Sequence, residues 1–178
     1  SSILKSSSKH ISPQDWQFDY EATERTLFKI KLKKNGELLL NAHTAKILEQ
    51  AVSELPLGMT KEALQRVQLL VAKGLPGKAG QQLASILIKF YHFQQASSTE
   101  CPAFNPTLNK YDKARSFQQT VLRQECYLGK TLSQQLFGQK NALTHYLYAR
   151  QHINEDSTLR PAQKQQQLME LKDRFKAH

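Results

Sequence analysis

The sequence predicts a mainly α-helical protein with one small β-hairpin near its N-terminus. From residue 41 onward, apolar residues recur every three to four positions over most of the chain, which is the period of an amphipathic helix. Residues 27–40 instead alternate apolar and charged side chains before an Asn-Gly pair. Only seven glycines and two cysteines occur in the 178 residues, which argues against a glycine-rich nucleotide-binding fold and a multi-cysteine zinc module.

The hairpin is predicted from alternation with a period of two. Phe28, Ile30 and Leu32 would face the core, and lysines occupy the positions between and after them. Asn35-Gly36 follows, and this pair favours a tight turn because both residues tolerate a positive φ. A two-stranded hairpin is only marginally stable in water, so we expect its apolar face to pack on helices.

Three amphipathic helices are predicted to complete a hairpin-plus-helices mini-domain over residues 20–96. Asn41 or Thr44 would cap the first helix, and Thr60 would cap the second. The third helix would open at Pro76-Gly77 and present an apolar face to the core. That face comprises Leu83, Ile86, Leu87, Phe90 and Tyr91.

The chain is predicted to divide at residues 97–106, a linker that contains two prolines and several small polar residues. Residues 1–19 are interpreted as a flexible linker from a removed membrane anchor. Residues 107–178 are predicted to form an extended helical segment with narrow apolar stripes. Its first helix would cover about 107–136, Gly138 would interrupt it, and Pro161 would lie in the first turn of the last helix.

The charge of the chain indicates an anionic partner surface. There are 25 Lys and Arg residues against 15 Asp and Glu, which gives a net charge of +10. Nucleic acid, a membrane face or an acidic protein would all suit this charge. The densest cluster is Lys29, Lys31, Lys33 and Lys34, and no aromatic residues interleave it in the manner of a nucleic-acid motif. A basic helical nucleic-acid-binding module is therefore kept as the alternative function.

No sequence motif indicates catalysis, a cofactor or a metal. The sequence contains no nucleophile elbow, P-loop, HExxH, EF-hand or CxxC pattern. His145 and His152 are seven residues apart and could share a helical face, but no third ligand is supplied nearby. We therefore expect a protein that is not an enzyme and that uses no cofactor and no metal.

Cys101 and Cys126 leave two possibilities open. In the cytosol they would remain free thiols. In an oxidising compartment a disulfide would close a loop of about 26 residues and add roughly 3.5 kcal/mol of stability in the chain-entropy model. Such a bond would tie the proline-containing linker to the middle of the long helix. Sequence spacing does not establish the separation of the two Cα atoms.

Two sets of motifs follow one another along the chain. The first comprises Leu32-Lys33-Lys34-Asn35-Gly36-Glu37-Leu38, and a later helix opened by Leu75-Pro76-Gly77-Lys78-Ala79 and ended by Phe90-Tyr91. The second comprises Tyr127-Leu128-Gly129, Leu136-Phe137-Gly138, Asn141-Ala142, Tyr146, Ala149-Arg150, Asp156-Ser157-Thr158-Leu159, Ala162 and Lys164. In this order, over most of residues 27–175, the chain resembles the lipase-specific foldases, also called lipase chaperones.

The resemblance implies a steric chaperone at the periplasmic side of the bacterial inner membrane. Such a protein is held there by an N-terminal helix, which we expect to be absent from this chain. It wraps around one secreted enzyme in a 1:1 complex, helps this client to fold and releases it for type II secretion. It carries out no catalysis, needs no cofactor and binds no nucleic acid. Candidate aromatic anchors for the client are Tyr127, Phe137, Tyr146 and Tyr148.

The chain departs from the family at a signature helix that reads Arg-x-x-Phe-Asp-Tyr and is followed by a serine. The four signature positions carry Ala45, Leu48, Glu49 and Gln50, and only Ser53 matches its counterpart. This departure favours a secreted metalloprotease as a client beside a secreted lipase. We also expect the chain to stop before the second globular mini-domain of the family. The candidate client-binding residues on this helix are Lys46, Gln50 and Ser53.

Overall fold

The computed structural model describes residues 20–95, Cys101 and residues 113–177. Helices dominate these residues and no β-sheet forms among them, so the prediction of a mainly α fold is confirmed. The described helices are α1 (Tyr20–Leu27), α2 (Ala42–Ser53), α3 (Lys61–Gly74), α4 (Gly77–Gln94), α5 (Lys113–Leu128), α6 (Lys130–Glu155) and α7 (Pro161–Lys176).

Two compact units contain the described residues. The first unit holds residues 20–39 and 46–95, and the second holds residues 40–45, Cys101 and residues 113–177. The linker predicted at residues 1–19 lies outside the described residues. The linker predicted at residues 97–106 also lies outside them, apart from Cys101.

The structure shows a single antiparallel bridge, between Leu32 and Leu38, where the hairpin was predicted. Only Ile30 of the predicted inward face is buried, whereas Phe28 is 55% exposed and Leu32 is 40% exposed. The reason lies in α1, which continues to Leu27. The backbone N–H of Phe28 donates to the carbonyl of Glu24 over 3.0 Å, which is the hydrogen bond of an α-helix. Helical structure therefore extends into the positions where the first strand was expected.

Side-chain caps start α2 and α3 where the sequence predicted them. The Oδ1 atom of Asn41 accepts hydrogen bonds from the backbone N–H groups of His43 and Thr44, at 3.0 and 3.1 Å. The hydroxyl of Thr44 accepts in return from the backbone N–H of Asn41 at 3.1 Å. The hydroxyl of Thr60 accepts from the backbone N–H of Ala63 at 3.2 Å. These bonds satisfy donors that a helix start leaves without partners.

The first unit has a well-filled core in which α3 and α4 pack closely. At Gly80 the approach leaves no room for a side chain, because a Cβ atom would lie 2.3 Å from the carbonyl oxygen of Ala72 and 2.5 Å from that of Leu75. Helices α2, α3 and α4 supply most of the core. Its large side chains with no more than 2% exposure are Leu48, Val67, Leu83, Leu87, Phe90 and Tyr91.

Tyr91 joins α4 to the connection between α2 and α3. Its ring is 2% exposed, and its hydroxyl donates to the carbonyl of Pro56 over 2.8 Å. The same hydroxyl accepts from the backbone N–H of Met59 over 2.8 Å. A buried tyrosine needs such partners, and here they fix the loop that precedes α3.

In the second unit α6 is the middle helix and packs against both α5 and α7. Among the described residues α5 and α7 form no comparable contact with each other, so the three helices do not close into a bundle. Much of their surface is therefore left uncovered by this unit. Over residues 113–177 the buried positions are Gln124, Leu128, Leu132, Ser133, Leu136, Gly138 and Leu171.

The first break in the helices of the second unit lies at Gly129, so the prediction of a break at Gly138 was wrong. Gly129 separates α5 from α6 and has a φ of 80°, a conformation that favours glycine. Gly138 is a buried position within the continuous helix α6. Residues 107–112 of the predicted long helix lie outside the described residues. The last helix, α7, begins at Pro161 as expected.

Candidate binding surface

The outer side of α2 carries the predicted candidates Lys46, Gln50 and Ser53, all of which are exposed. Spacings of four and three residues place them on one side of the helix. The hydroxyl of Ser53 donates to the carbonyl of Gln50 over 2.6 Å. The Nε2 atom of Gln50 lies 3.5 Å from the carboxylate of Glu54, which also accepts from the hydroxyl of Thr26 at 3.0 Å. The result is a polar row that is open to a partner and held by local bonds.

Two of the four signature positions on α2 are buried. Ala45 is 6% exposed and Leu48 is 0% exposed, so neither can contact a partner in this structure. Glu49 and Gln50 occupy the other two positions and are exposed. Binding through this helix would therefore use the exposed Glu49, Gln50 and Ser53, of which only Ser53 matches the signature.

The four aromatic candidates of the second unit are half-buried. Tyr146 of α6 stacks on Phe175 of α7, with ring centroids 4.7 Å apart and planes inclined by 26°. Tyr148 of α6 meets Phe117 of α5 at a centroid distance of 6.0 Å. These contacts between helices cover part of each tyrosine ring. The remaining part of each ring is accessible to a partner.

Tyr127 and Phe137, the other two aromatic candidates, lie on either side of the break at Gly129. Tyr127 is near Arg123, one turn earlier on α5. Burial lowers the pKa of the Arg123 guanidinium below its usual range, and the neighbouring Tyr127 partly offsets this effect. The half-buried positions of both aromatic side chains suit packing between helices as well as contact with a partner.

A cleft of about 300 Å³ lies between α6 and α7. Aromatic rings, a guanidinium and an imidazole occur together in its lining. Such a lining suits an apolar side chain that has a carboxylate beside it. The lining residues are Ala142, His145, Tyr146, Leu171, Arg174 and Phe175.

Two exposed leucines lie on α6, the helix that forms one wall of this cleft. Leu143 is 46% exposed and Leu147 is 48% exposed, and their spacing of four residues places them on one side of α6. Both leucines follow the helical period, so the predicted narrow apolar stripe does not by itself show that they remain exposed. The signal was present, because apolar residues at 142, 143, 146, 147 and 148 span a wider arc than one neighbouring helix can cover.

The motif residues that carry the family resemblance mainly organise the helices. Gln124 is 5% exposed, and its side-chain carbonyl accepts from the Nδ2 atom of Asn141 over 2.7 Å, which joins α5 to α6. After α6, Asp156 accepts from the backbone N–H and the hydroxyl of Thr158, at 2.9 and 2.5 Å. The Nζ atom of Lys164 donates to a carbonyl near the end of α6 over 3.0 Å. These bonds position the surfaces between helices and provide no reactive group.

Cys101 and Cys126 are joined by a disulfide in the structure, with their Cα atoms 6.2 Å apart. Cys101 is 2% exposed, whereas Cys126 lies on the exposed side of the last turn of α5. Of the two possibilities that the sequence left open, the structure therefore contains the bonded one. The bond attaches Cys101 close to the break at Gly129.

The described part of the chain shows no sign of a metal site or of a membrane-spanning helix. No three His, Cys, Asp or Glu side chains converge there as a metal site would require. None of the helices that the structure describes combines the length and apolar character needed to cross a bilayer.

Comparison with known protein families bears directly on these surfaces. A family described as proteobacterial lipase chaperone protein matches residues 87–176, which is half of the chain and runs from within α4 to the end of α7. The chain belongs to the lipase chaperone family. The resemblance drawn from the sequence is thereby confirmed, and a chaperone role follows from it. Neither the curated proteins nor the solved structures gave a match.

The span shared with the lipase chaperones contains only part of the candidate surface. It includes the cleft between α6 and α7, Leu143, Leu147 and the four aromatic candidates. It excludes α2 with Lys46, Gln50 and Ser53. The second unit is therefore the better supported part of the surface.

Proposed function

We propose that this chain is a steric chaperone that wraps around one secreted hydrolase, in a 1:1 complex, and helps it to fold. Membership of the lipase chaperone family supports the chaperone role. The observation that carries the proposal is the sparsely covered second unit, whose only buried position on α7 is Leu171 among the described residues. Helices that leave their side chains uncovered by one another offer a broad surface to a client.

A broad surface suits the energetics of a foldase. A chaperone biases folding by binding the folded client more tightly than the unfolded one, and stable complexes of this kind bury large areas. Leu143 and Leu147 would supply part of this energy, because complete burial of a leucine contributes about 1.5–3 kcal/mol and roughly half of each side chain is still exposed. The Arg174 guanidinium and His145 imidazole in the cleft would favour an acidic client segment.

The first client to test is a secreted lipase, because the description of the matching family names lipase as the client. A secreted metalloprotease is the second, and the signature helix favours it. Ala45 and Leu48 occupy two signature positions and are buried, so the exposed side chains that α2 offers include Lys46, Gln50 and Ser53. A different recognition row is consistent with a different client.

We place the chaperone at the periplasmic side of the inner membrane, held by an N-terminal anchor, with its client released to type II secretion. The disulfide between Cys101 and Cys126 supports an oxidising compartment such as the periplasm. A full-length protein labelled in cells should be accessible to an external protease only after the outer membrane has been permeabilised.

The functional test is recovery of a denatured secreted lipase, and separately a metalloprotease, in the presence of the chain. The test variant is Leu143→Ser with Leu147→Ser. Loss of two leucines that the client would cover should weaken client binding by about one to two orders of magnitude. The matched control is Leu57→Ser with Leu69→Ser, because these residues of the first unit are 87% and 62% exposed.

The control variant should restore client activity as well as the unchanged chain does. Equal client affinity of the test and control variants would contradict the use of the α6 surface. Failure of the unchanged chain to restore either client, or hydrolysis by the chain alone, would contradict the proposed function.

A further inference from the structure

Four exposed lysines follow α1 in a segment that neither the family match nor the proposed client surface uses. They are Lys29, Lys31, Lys33 and Lys34. Glu37 is the only acidic residue between positions 28 and 40, and its carboxylate lies 3.9 Å from the Nζ atom of Lys33. We name residues 28–37 the basic turn. It concentrates positive charge in one short stretch of the first unit.

Exposed apolar side chains accompany the lysines of the basic turn. Phe28 is 55% exposed and Leu32 is 40% exposed. In contrast, Ile30 and Leu38 are 8% and 3% exposed, so they anchor the turn to the core. The Phe28 ring and the Leu32 side chain are therefore exposed in the same short segment as the lysine ammonium groups. The buried Ile30 and Leu38 hold this segment in position.

Backbone hydrogen bonds hold the basic turn in this form. The N–H of Lys33 donates to the carbonyl of Glu37 over 2.7 Å, and the N–H of Leu39 donates to the carbonyl of Lys31 over 2.9 Å. Gly36 has a φ of 85° and its N–H donates to the carbonyl of Lys33 over 2.9 Å. The surface is therefore preorganised, and little ordering of the backbone would oppose binding.

We propose that the basic turn binds the surface of a bilayer that contains anionic phospholipids. Each lysine near such a surface strengthens binding by about fivefold. Phe28 and Leu32 would enter the boundary between headgroups and acyl chains, while the lysine stems lie along it and keep their ammonium groups among the phosphates. The first unit would then lie against the membrane through this turn.

The chemistry of the turn favours lipid over a nucleic acid or a protein. Its cations are all lysines, whose mobile point charges suit a diffuse phosphate layer, whereas specific phosphate or base contacts favour arginine. The described cavity that Phe28 lines has a volume of about 10 Å³, which is no larger than a water site. This cavity is too small to accept an anchor side chain from a protein partner. This proposal shares with the proposed function only its location beside a bilayer.

The test is flotation of the complete chain with vesicles of phosphatidylcholine, with and without phosphatidylglycerol. We expect binding only to the anionic vesicles, and release at high salt. The variant Lys29→Gln, Lys31→Gln, Lys34→Gln should lower the partition coefficient by about two orders of magnitude. The variant Phe28→Ser should also lower it.

The matched charge control is Lys61→Gln, Lys78→Gln, Lys89→Gln, which removes three exposed lysines from the same unit. Lys61 and Lys78 lie in the first turns of α3 and α4, where loss of a positive charge does not weaken a helix. Leu69→Ser is the control for Phe28→Ser. We expect both controls to lose much less binding than their test variants, and circular dichroism to show that all the variants are folded.

Three results would overturn the proposal. The first is equal loss of binding in the test and control lysine variants, which would indicate a general charge effect. The second is equal binding to neutral and anionic vesicles. The third is unchanged vesicle binding with loss of client refolding in the test variant, which would show that the turn binds an acidic protein. Because flotation uses no client, this test can fail while the chaperone function stands.

Discussion

Tyr146 of α6 stacks on Phe175 of α7, with 4.7 Å between the ring centroids. Leu171, one turn earlier on α7, is 7% exposed and is the buried position of that helix among the described residues. Few side chains therefore hold α7 against α6. The cleft that both rings line depends on this attachment.

Replacing Phe175 with alanine should loosen α7. Loss of the stacked ring and its partly buried area should lower the local stability of α7 by about 1–2 kcal/mol. Hydrogen–deuterium exchange of the α7 amides would measure this loss. The control Met169→Ala changes a side chain that is 61% exposed on the same helix, and its exchange should match that of the unchanged chain. Equal protection in the two variants would show that the stacked pair does not hold α7.

Two glycine-to-alanine changes should have opposite effects. At Gly80 the new Cβ would meet backbone oxygens of Ala72 and Leu75, so we expect Gly80→Ala to destabilise the first unit by about 1–3 kcal/mol. At Gly138 the nearest atom is the side-chain Nε2 of Gln134, at 2.6 Å, and this exposed side chain can rotate away. Gly138→Ala should be neutral or stabilise α6 by up to about 1 kcal/mol.

Urea unfolding curves would measure the stability of both glycine variants. Hydrogen–deuterium exchange of amides within each unit would show which unit has changed. A destabilisation of α6 as large as that caused by Gly80→Ala would contradict the assignment of Gly138 to an adaptable environment.

The double variant Cys101→Ser with Cys126→Ser should be less stable than the bonded chain. The closed loop has a sequence separation of 25, for which the chain-entropy model gives a loss of roughly 3.5 kcal/mol. Unfolding of the second unit in urea, compared with the unchanged protein before and after reduction, would measure it. Reduction should have no further effect on the variant. Identical unfolding of the variant and the oxidised protein would contradict a stabilising bond.

The turn between α6 and α7 should respond to acid through Asp156. Hydrogen bonds from the hydroxyl and backbone N–H of Thr158 lower the pKa of the Asp156 carboxyl below its ordinary value of 3.8. A carboxyl whose pKa is lower in the folded than in the unfolded state adds stability above the unfolded pKa and loses it as the pH falls through the folded pKa. Asp156→Asn should therefore remove part of the stability that disappears below a pH of about 4.

The Tm of the Asp156→Asn variant, followed from neutral to acidic pH, would measure this contribution. We expect the difference from the unchanged chain to shrink as the solution becomes more acidic, and to be small because the side chain is solvated. Ser157→Ala alters a neighbouring exposed side chain and should keep the pH dependence of the unchanged chain. Parallel pH curves for the Asp156→Asn variant and the unchanged chain would rule out a role for this carboxyl.

Local sequence signals predicted the parts of the fold that local chemistry controls. Asn41 and Thr60 cap helices, and Pro161 begins one, because the bonds or dihedral angles involved lie within a few residues. The hairpin depended on only three alternating apolar residues, and α1 competes for the first of them, Phe28. Propensity alone does not resolve such competition.

The position of the helix break and the extent of burial depend on tertiary structure. An interior glycine costs a helix only about 1 kcal/mol, so packing elsewhere along α6 can retain Gly138 within it. Leu143 and Leu147 follow the helical period but remain exposed, because the second unit has too few neighbouring helices to cover them. Periodicity identifies apolar positions and does not count the partners that cover them.

Contact of the client with Lys46, Gln50, Ser53 and the four aromatic candidates remains a prediction. The structure gives their exposure, but an interface residue differs from an ordinary surface residue only in the presence of its partner. The division into a mini-domain and an extended segment also remains a prediction. We propose that the two parts hold the client together.

Stoichiometric recovery of client activity tests the central claim most directly. A denatured secreted lipase would be diluted into buffer that contains increasing amounts of the oxidised chain, and the recovered hydrolysis would be measured, followed by the same titration with a metalloprotease. The account predicts that the recovered activity of one client rises and levels off at one chain per client, while the chain alone hydrolyses nothing. Recovery that is unaffected by the chain for both clients, or hydrolysis without any client, would contradict it.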